Sequence, residues 1–332
     1  MNSKKRHSLL LIALSIALLG MVWVHLFSGQ LNIQLSDFWF SIFDFDKSST
    51  SQLIAREFRL PRMFTALLAG AGLSLAGLLM QTLFNNPLAG PYVLGINTGS
   101  SLFVAASMMT GFSFFISDAG ILLTAILGAS IFGFIILGFS IIVRSHIALL
   151  LIGLMLGSFT GAIITAIQAT TSAQQLKAFT MWTMGSLQQT HFDQLPLFLL
   201  IFSGALTLTL FLIKPLNALV IGERSAEVLG FNLKRMRILT IVTTAVLTGV
   251  ITAFCGPIAF VGLAVPNMTK MLFKTTSHQV LLLGTLFLGS LFLLLVDTII
   301  QLCENNFLLP LNAFTSIIGA PIIIFIIFKR MS

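Results

Sequence analysis

The sequence predicts an all-α, polytopic membrane protein with about ten transmembrane helices, on three observations. Only 8% of the 332 residues are charged, 18 Lys+Arg against 10 Asp+Glu, where soluble domains carry roughly 25%. Hydrophobic residues make up 57% of the chain and the mean hydropathy is +1.02. Apolar runs of about 20 residues, the length a spanning helix needs, recur along the whole chain. So few polar side chains cannot clothe a water-soluble fold of this size, which excludes a soluble enzyme and a disordered chain.

Residues 9–27 follow a basic start at Lys4, Lys5 and Arg6. The run is long enough to span and no small-residue cleavage site follows, so it is expected as an uncleaved first span. Further spans are expected at residues 61–84, 92–111, 120–143, 148–168, 196–213, 238–254, 263–273, 280–303 and 311–328. The eighth is short and interrupted by Gly262 and Pro266. It reads as a partial helix, tolerated at membrane depth where protein or a water-filled cavity satisfies the backbone. Connections of some length remain at 28–60, 169–195 and 214–237. No linker separates them, so residues 1–332 read as one transmembrane domain.

Ten spans place both termini on one side. With the N-terminus inside, thirteen of the 18 basic residues are internal, Arg144 and the 234–237 cluster among them. The external ones are Lys47, Arg56, Arg59, Arg62 and Lys177. The positive-inside rule then puts both termini in the cytoplasm. For the same reason the net charge of +8 is no sign of nucleic-acid binding. Cys255 and Cys303 have no ligand neighbours at metal-binding spacing and read as small packing residues. No metal site is expected.

A faint internal repeat pairs 59–91 with 237–266. Each copy runs from an Arg through a small-residue helix to a Gly/Pro-rich stretch, and five spans separate them. This is either an inverted repeat, a transporter signature, or shared small-residue composition.

Four blocks carry more information. The first is Arg59-Leu60-Pro61-Arg62, followed by Gly70, Gly72 and Gly77, Gln81, and Asn86-Pro87-Leu88-Ala89-Gly90-Pro91. Small residues at these spacings let helices approach closely in lipid. Gln81 and Asn86 need partners or a water-lined path. The second is Gly222-Glu223-Arg224-Ser225-Ala226-Glu227-Val228-Leu229-Gly230, and the third is Phe260-Val261-Gly262-Leu263-Ala264-Val265-Pro266. The fourth comprises Asp297, Leu309-Pro310-Leu311 and Gly319-Ala320-Pro321. In this order, over essentially the whole chain, they resemble the FecCD-type permease subunits of ABC importers for vitamin B12, haem and iron-siderophores.

The resemblance implies a vitamin-B12-importer-like permease in the bacterial plasma (inner) membrane, with a second permease copy or homologue around a central path. It implies two cytoplasmic ABC ATPases and an extracytoplasmic substrate-binding protein as partners. The chain lacks a phosphate-binding loop of the Gly-x-x-x-x-Gly-Lys type, so it is not expected to be an enzyme or to bind a cofactor. ATP and Mg would be used by the partner. The resemblance makes Arg59, Arg62 and Arg56 candidates for docking acidic side chains of the binding protein, a task suited to the arginine fork. It makes Glu223, Ala226, Leu229 and Gly230 the coupling helix that seats on the ATPase. Gln81, Asn86, Leu88 and His146 fall at gate or pathway positions.

The chain departs from the family pattern in three places. Pro266-Asn267 stands where the family has Pro-His, Gln301 stands where an Arg often follows Asp297 by four residues, and Arg56 occupies a position that is often aromatic. Asp297, ionisable within a span, is expected to pair inside the bundle rather than serve a proton relay, since no second buried carboxylate or histidine is foreseen. An iron-siderophore is the expected cargo as the family's commonest, with haem or cobalamin as alternatives. A secondary transporter would need an ion site and has only Asp297 to offer. A membrane-embedded enzyme would need a catalytic cluster that the sequence lacks.

Overall fold

The computed structural model describes residues 3–29, 31, 33–109, 117–143, 145–304 and 309–331. Among these, all regular structure is helical: α1 (Ser3–Phe27), α2 (Leu35–Phe43), α3 (Thr50–Ile54), α4 (Leu60–Leu83), α5 (Ile96–Met109), α6 (Asp118–Ile142), α7 (His146–Ala169), α8 (Ala173–Thr183), α9 (Leu195–Ile221), α10 (Glu223–Val228), α11 (Leu233–Cys255), α12 (Val261–Phe273), α13 (His278–Cys303) and α14 (Leu311–Met331). A π-helical turn (Ala55–Arg59) leads into α4, and 3-10 turns precede α5 (Pro91–Leu94) and α9 (Phe192–Gln194). Arg144 lies outside the described residues.

Among the described residues seven helices are long and apolar enough to cross a membrane: α1, the α3–α4 stretch, α6, α7, the stretch ending in α9, α11 and α13. Of the other three expected spans, α14 has 21 residues and two are shorter. α5 has 14 residues and α12 has 13, about 20 Å of helix at 1.5 Å per residue against a hydrocarbon core of roughly 30 Å. α12 is short as expected, but it runs unbroken through Gly262 and Pro266. The break before α5 was not foreseen. There residues 91–94 turn as 3-10 helix and Gly95, at φ +75°, resets the chain. The first copy of the sequence repeat, 59–91, holds α4 and ends before α5, and the second, 237–266, holds most of α11 and the start of α12.

α4 is the central element. Of its most apolar stretch 89% is buried, against 6% for α1, and it packs on α13, α11, α12 and α9. Its small residues are the cause. A methyl group on Gly77 would overlap the carbonyl oxygen of Gly262 in α12, and Gly70 meets Gly289 of α13 backbone to backbone. Lipid offers no hydrophobic drive between helices, so such close contact must supply packing energy. Around this centre α5 pairs with α6, α6 with α11, α1 with α13, and α14 with α12. Arg237 of α11 donates to the carbonyls of Ser140 (3.2 Å) and Val143 (3.1 Å) at the end of α6, where a cation also suits the helix dipole.

Candidate functional site

At one end of the bundle four ionisable side chains meet. Asp297 of α13 is buried, and Arg62 of α4 embraces it with both prongs, Nε to Oδ2 at 2.7 Å and Nη2 to Oδ1 at 2.9 Å. His25 of α1 approaches the same Oδ2 at 2.7 Å. The Nη2 of Arg62 also reaches Oε1 of Glu304, at 2.8 Å. Gln188, beyond α8, donates to that same oxygen at 2.8 Å. Gln301 lies 3.4 Å from the His25 Nε2. The cluster therefore ties α1, α4, α13 and the segment after α8 together at one end.

This corrects the expectation about Asp297 in part. It does pair inside the bundle, but its cation comes from Arg62, 235 residues away, and a buried histidine does stand beside it. His25 is 1% exposed. It sits two residues before the end of an otherwise apolar span, and a polar group there demands a partner. Bidentate arginine is the strong form of such pairing. Two cavities flank the cluster. One, of about 420 Å³, is lined by Arg62, Met181, Gln188, Asp297 and Glu304. The other, of about 330 Å³, is lined by Leu31, Phe58, Arg59, Arg62 and Gln301.

The three arginines expected at a docking face are all engaged within the chain. Arg62 is held as above. Arg59 donates to the carbonyl oxygens of Leu26 (2.7 Å) and Leu31 and so fastens the turn between α1 and α2. Arg56 donates to the Ser41 carbonyl at 3.1 Å. Its guanidinium lies 4.6 Å from the ring centres of both Phe45 and Phe192, within cation–π range. Arg59 and Arg62 are each 8% exposed, so Arg56 is the most accessible of the three.

At the other end, Gln81 of α4 donates to the Leu263 carbonyl (3.1 Å) and accepts from Lys270 Nζ (2.9 Å). Asn267, in the place of the family's usual histidine, donates to the carbonyls of Pro87 and Leu263 at 2.8 and 2.9 Å. Asn86 accepts from the Leu88 backbone at 2.9 Å, closing the Asx turn that its proline context suggests, and Leu88 is exposed. These candidate gate residues therefore cluster where α4 meets α12. His146 opens α7, and its side chain lies outside the described residues.

The loop helix α10 forms within the second block, 222–230. Gly222 (φ +136°) precedes it and Gly230 (φ +84°) follows it. Phe231 N–H donates to the Ala226 carbonyl and Gly230 N–H to that of Glu227, the Schellman pattern that glycine permits. One expectation is reversed. Ala226 is fully buried in the chain's own packing and does not face a partner, because α10 lies back on α9 and α11. Val228 (88% exposed) and Leu229 (61%) face outward instead, and Glu223 and Gly230 are exposed with them.

Residues 14–329 match the FecCD transport family, and the chain belongs to that family of transport permeases. It is 34% identical to the vitamin B12 import system permease protein BtuC of Salmonella typhimurium, over 99% of this chain and 97% of that one. It is 31% identical to the molybdate import system permease protein MolB of Haemophilus influenzae, covering 84% and 82%. It is likewise 31% identical to the "Probable iron chelatin transport system permease protein" of Helicobacter pylori, covering 86% and 85%. Among solved structures, a metal-chelate type ABC transporter in an inward-facing conformation superposes with a TM-score of 0.85 at 28% identity, covering 96% of this chain and 98% of that one. The chain is thus an integral membrane permease of the ABC importer class, and ABC ATPase and permease partners follow from its family.

Proposed function

We propose that this chain is the permease subunit of an ATP-driven importer that takes an iron-siderophore complex from an extracytoplasmic binding protein. The supporting observation is α10. A capped helix ends a loop and holds Val228 and Leu229 out toward an apolar partner, as a docking element for an ATPase requires. Two ATPases and a second permease subunit complete the assembly, which supplies the ATP and Mg chemistry that this chain does not. At the opposite face Arg56 is the arginine best placed to meet an acidic side chain of the binding protein, while Arg59 and Arg62 hold that face in shape. Gln81, Asn86, Leu88 and Asn267 line the inner gate.

For the cargo, the Helicobacter pylori relative and the metal-chelate type structure support a ferric chelate, whereas the BtuC and MolB relatives support cobalamin and molybdate. The test is to purify the chain in mild detergent with the subunits that accompany it, then to identify the ligand on the binding protein by absorption and metal analysis. An iron chelate is the expected result. A corrinoid, haem or molybdate would replace the cargo and leave the importer class intact. Uptake that runs without any ATPase subunit would sink the class.

A further inference from the structure

α2 presents its face the wrong way round for a helix surrounded by water. Its buried residues are Phe38 and Ser41. Its outward face carries Leu35, Trp39, Ile42 and Phe43, between 44% and 68% exposed. Residues 35, 39, 42 and 43 share one stripe of a 3.6-residue helix. Trp39 and Phe43 lie together, ring centres 4.5 Å apart. A surface helix in water turns such a stripe inward.

The height of α2 is set by α1. The apolar run at 9–27 covers about 28 Å of helix at 1.5 Å per residue, close to the thickness of the hydrocarbon core. Phe27 therefore lies at its edge. Phe38 packs edge-on against Phe27, ring centres 5.5 Å apart, and Phe27 packs against Trp23 at 4.5 Å. Trp23, with Ile16 and Leu19, belongs to the exposed stripe of α1. Through these ring contacts α2 abuts that stripe at its end.

The chain leaves α2 into water. Ser48, through its backbone N–H and its hydroxyl, holds the Asp46 carboxyl below its usual range, so Asp46 is ionised at neutral pH in the turn that follows. Asp37 accepts from the Gln34 N–H at 3.1 Å at the helix start and lies on the other side of the helix from residues 35, 39 and 42.

We propose that α2 is an in-plane anchor, lying in the bilayer interface with Trp39 and Phe43 among the acyl chain ends nearest the headgroups. Interfacial helices sink an apolar face about 5–10 Å into this zone, and tryptophan is enriched there. A protein that docks and leaves is a poorer occupant. Transient interfaces are about as polar as the rest of a surface, whereas this stripe is unbroken apolar surface and needs a permanent apolar neighbour. The anchor fixes the turn held by Arg59, and through it the position of Arg56, whose Nη1 bonds the Ser41 carbonyl of α2.

The test uses the intact permease in phosphatidylcholine vesicles. The lipids are brominated either near the headgroup end of the acyl chain or near its terminal methyl, and iodide is added to the water in parallel. The emission of Trp39 is the difference between the wild type and Trp39→Phe, an exposed substitution that leaves the fold intact. The expected result is loss of most Trp39 emission to the shallow bromine, less to the deep bromine, and little to iodide. Iodide quenching without bromolipid quenching would place α2 in water, open to a docking protein. Protection from both would place it against a second copy of the chain. Either outcome overturns the anchor.

Discussion

Asp297 and Arg62 owe their stability to each other. A carboxylate buried in a membrane bundle keeps its charge only if donors surround it, and removing one member of such a pair strands the other. Asp297→Asn should therefore lower stability by about 3 kcal/mol, measured as a drop in Tm in detergent. The double variant Asp297→Asn/Arg62→Met should lose less than the two single variants combined, since both members of the buried pair are gone and only Glu304, whose side chain is one-third exposed, loses its cation. Additive losses would mean that the pair is not coupled. An ionisable residue inside a span announces itself in the sequence, and Asp297 was legible as a paired group. Its partners were not. Arg62 and His25 lie 235 and 272 positions away, and a helical period relates only residues a few positions apart. Glu304 was overlooked because it sits at a helix end, where a carboxylate ordinarily faces water.

Among the elements, α4 and α10 show where local pattern suffices. Small residues in α4 signal close helix contact, and the capping glycines of α10 signal a short helix with defined ends. Which neighbour each element meets is a tertiary fact. Gly77→Ala should separate α4 from α12, because its methyl would overlap the Gly262 carbonyl. The cost should be about 1–3 kcal/mol, read as lower Tm and reduced yield of folded protein. In α10 two substitutions separate fold from coupling. Ala226→Trp overfills a fully buried site and should destabilise the loop, with faster proteolysis there, before any partner is present. Val228→Glu changes an outward side chain and should leave Tm unchanged. In the reconstituted importer it should depress transport and substrate-stimulated ATP hydrolysis several-fold by desolvating a charge at the contact. Normal activity in Val228→Glu would remove α10 from the ATPase interface.

For the whole molecule, apolar runs located every long helix of the bundle, yet could not distinguish a full span from a half span. α5 starts late because Gly95 turns the chain just inside the apolar run expected from residue 92. Orientation is a separate matter. It rests on the distribution of Lys and Arg, a property of insertion rather than of packing. The bundle gives the two faces their contents. One end holds the Asp297 cluster, Arg56 and α2. The end where α4 meets α12 holds Gln81 and Lys270. If thirteen basic residues mark the cytoplasmic side, α10 lies inside, where an ATPase can reach it, and the Asp297 cluster lies outside. Single cysteines at Ser48, Gln174 and Ser225, in a chain with Cys255 and Cys303 replaced by serine, test this in intact cells. An impermeant thiol reagent should label positions 48 and 174 from outside, and should reach 225 only after permeabilisation. Both external sites sit on exposed side chains, so failure to label them could not be ascribed to burial in the chain. Labelling of 225 in intact cells, with 48 and 174 protected, would invert the protein in the membrane. It would also turn α10 away from ATP, and the importer reading would fall with the topology.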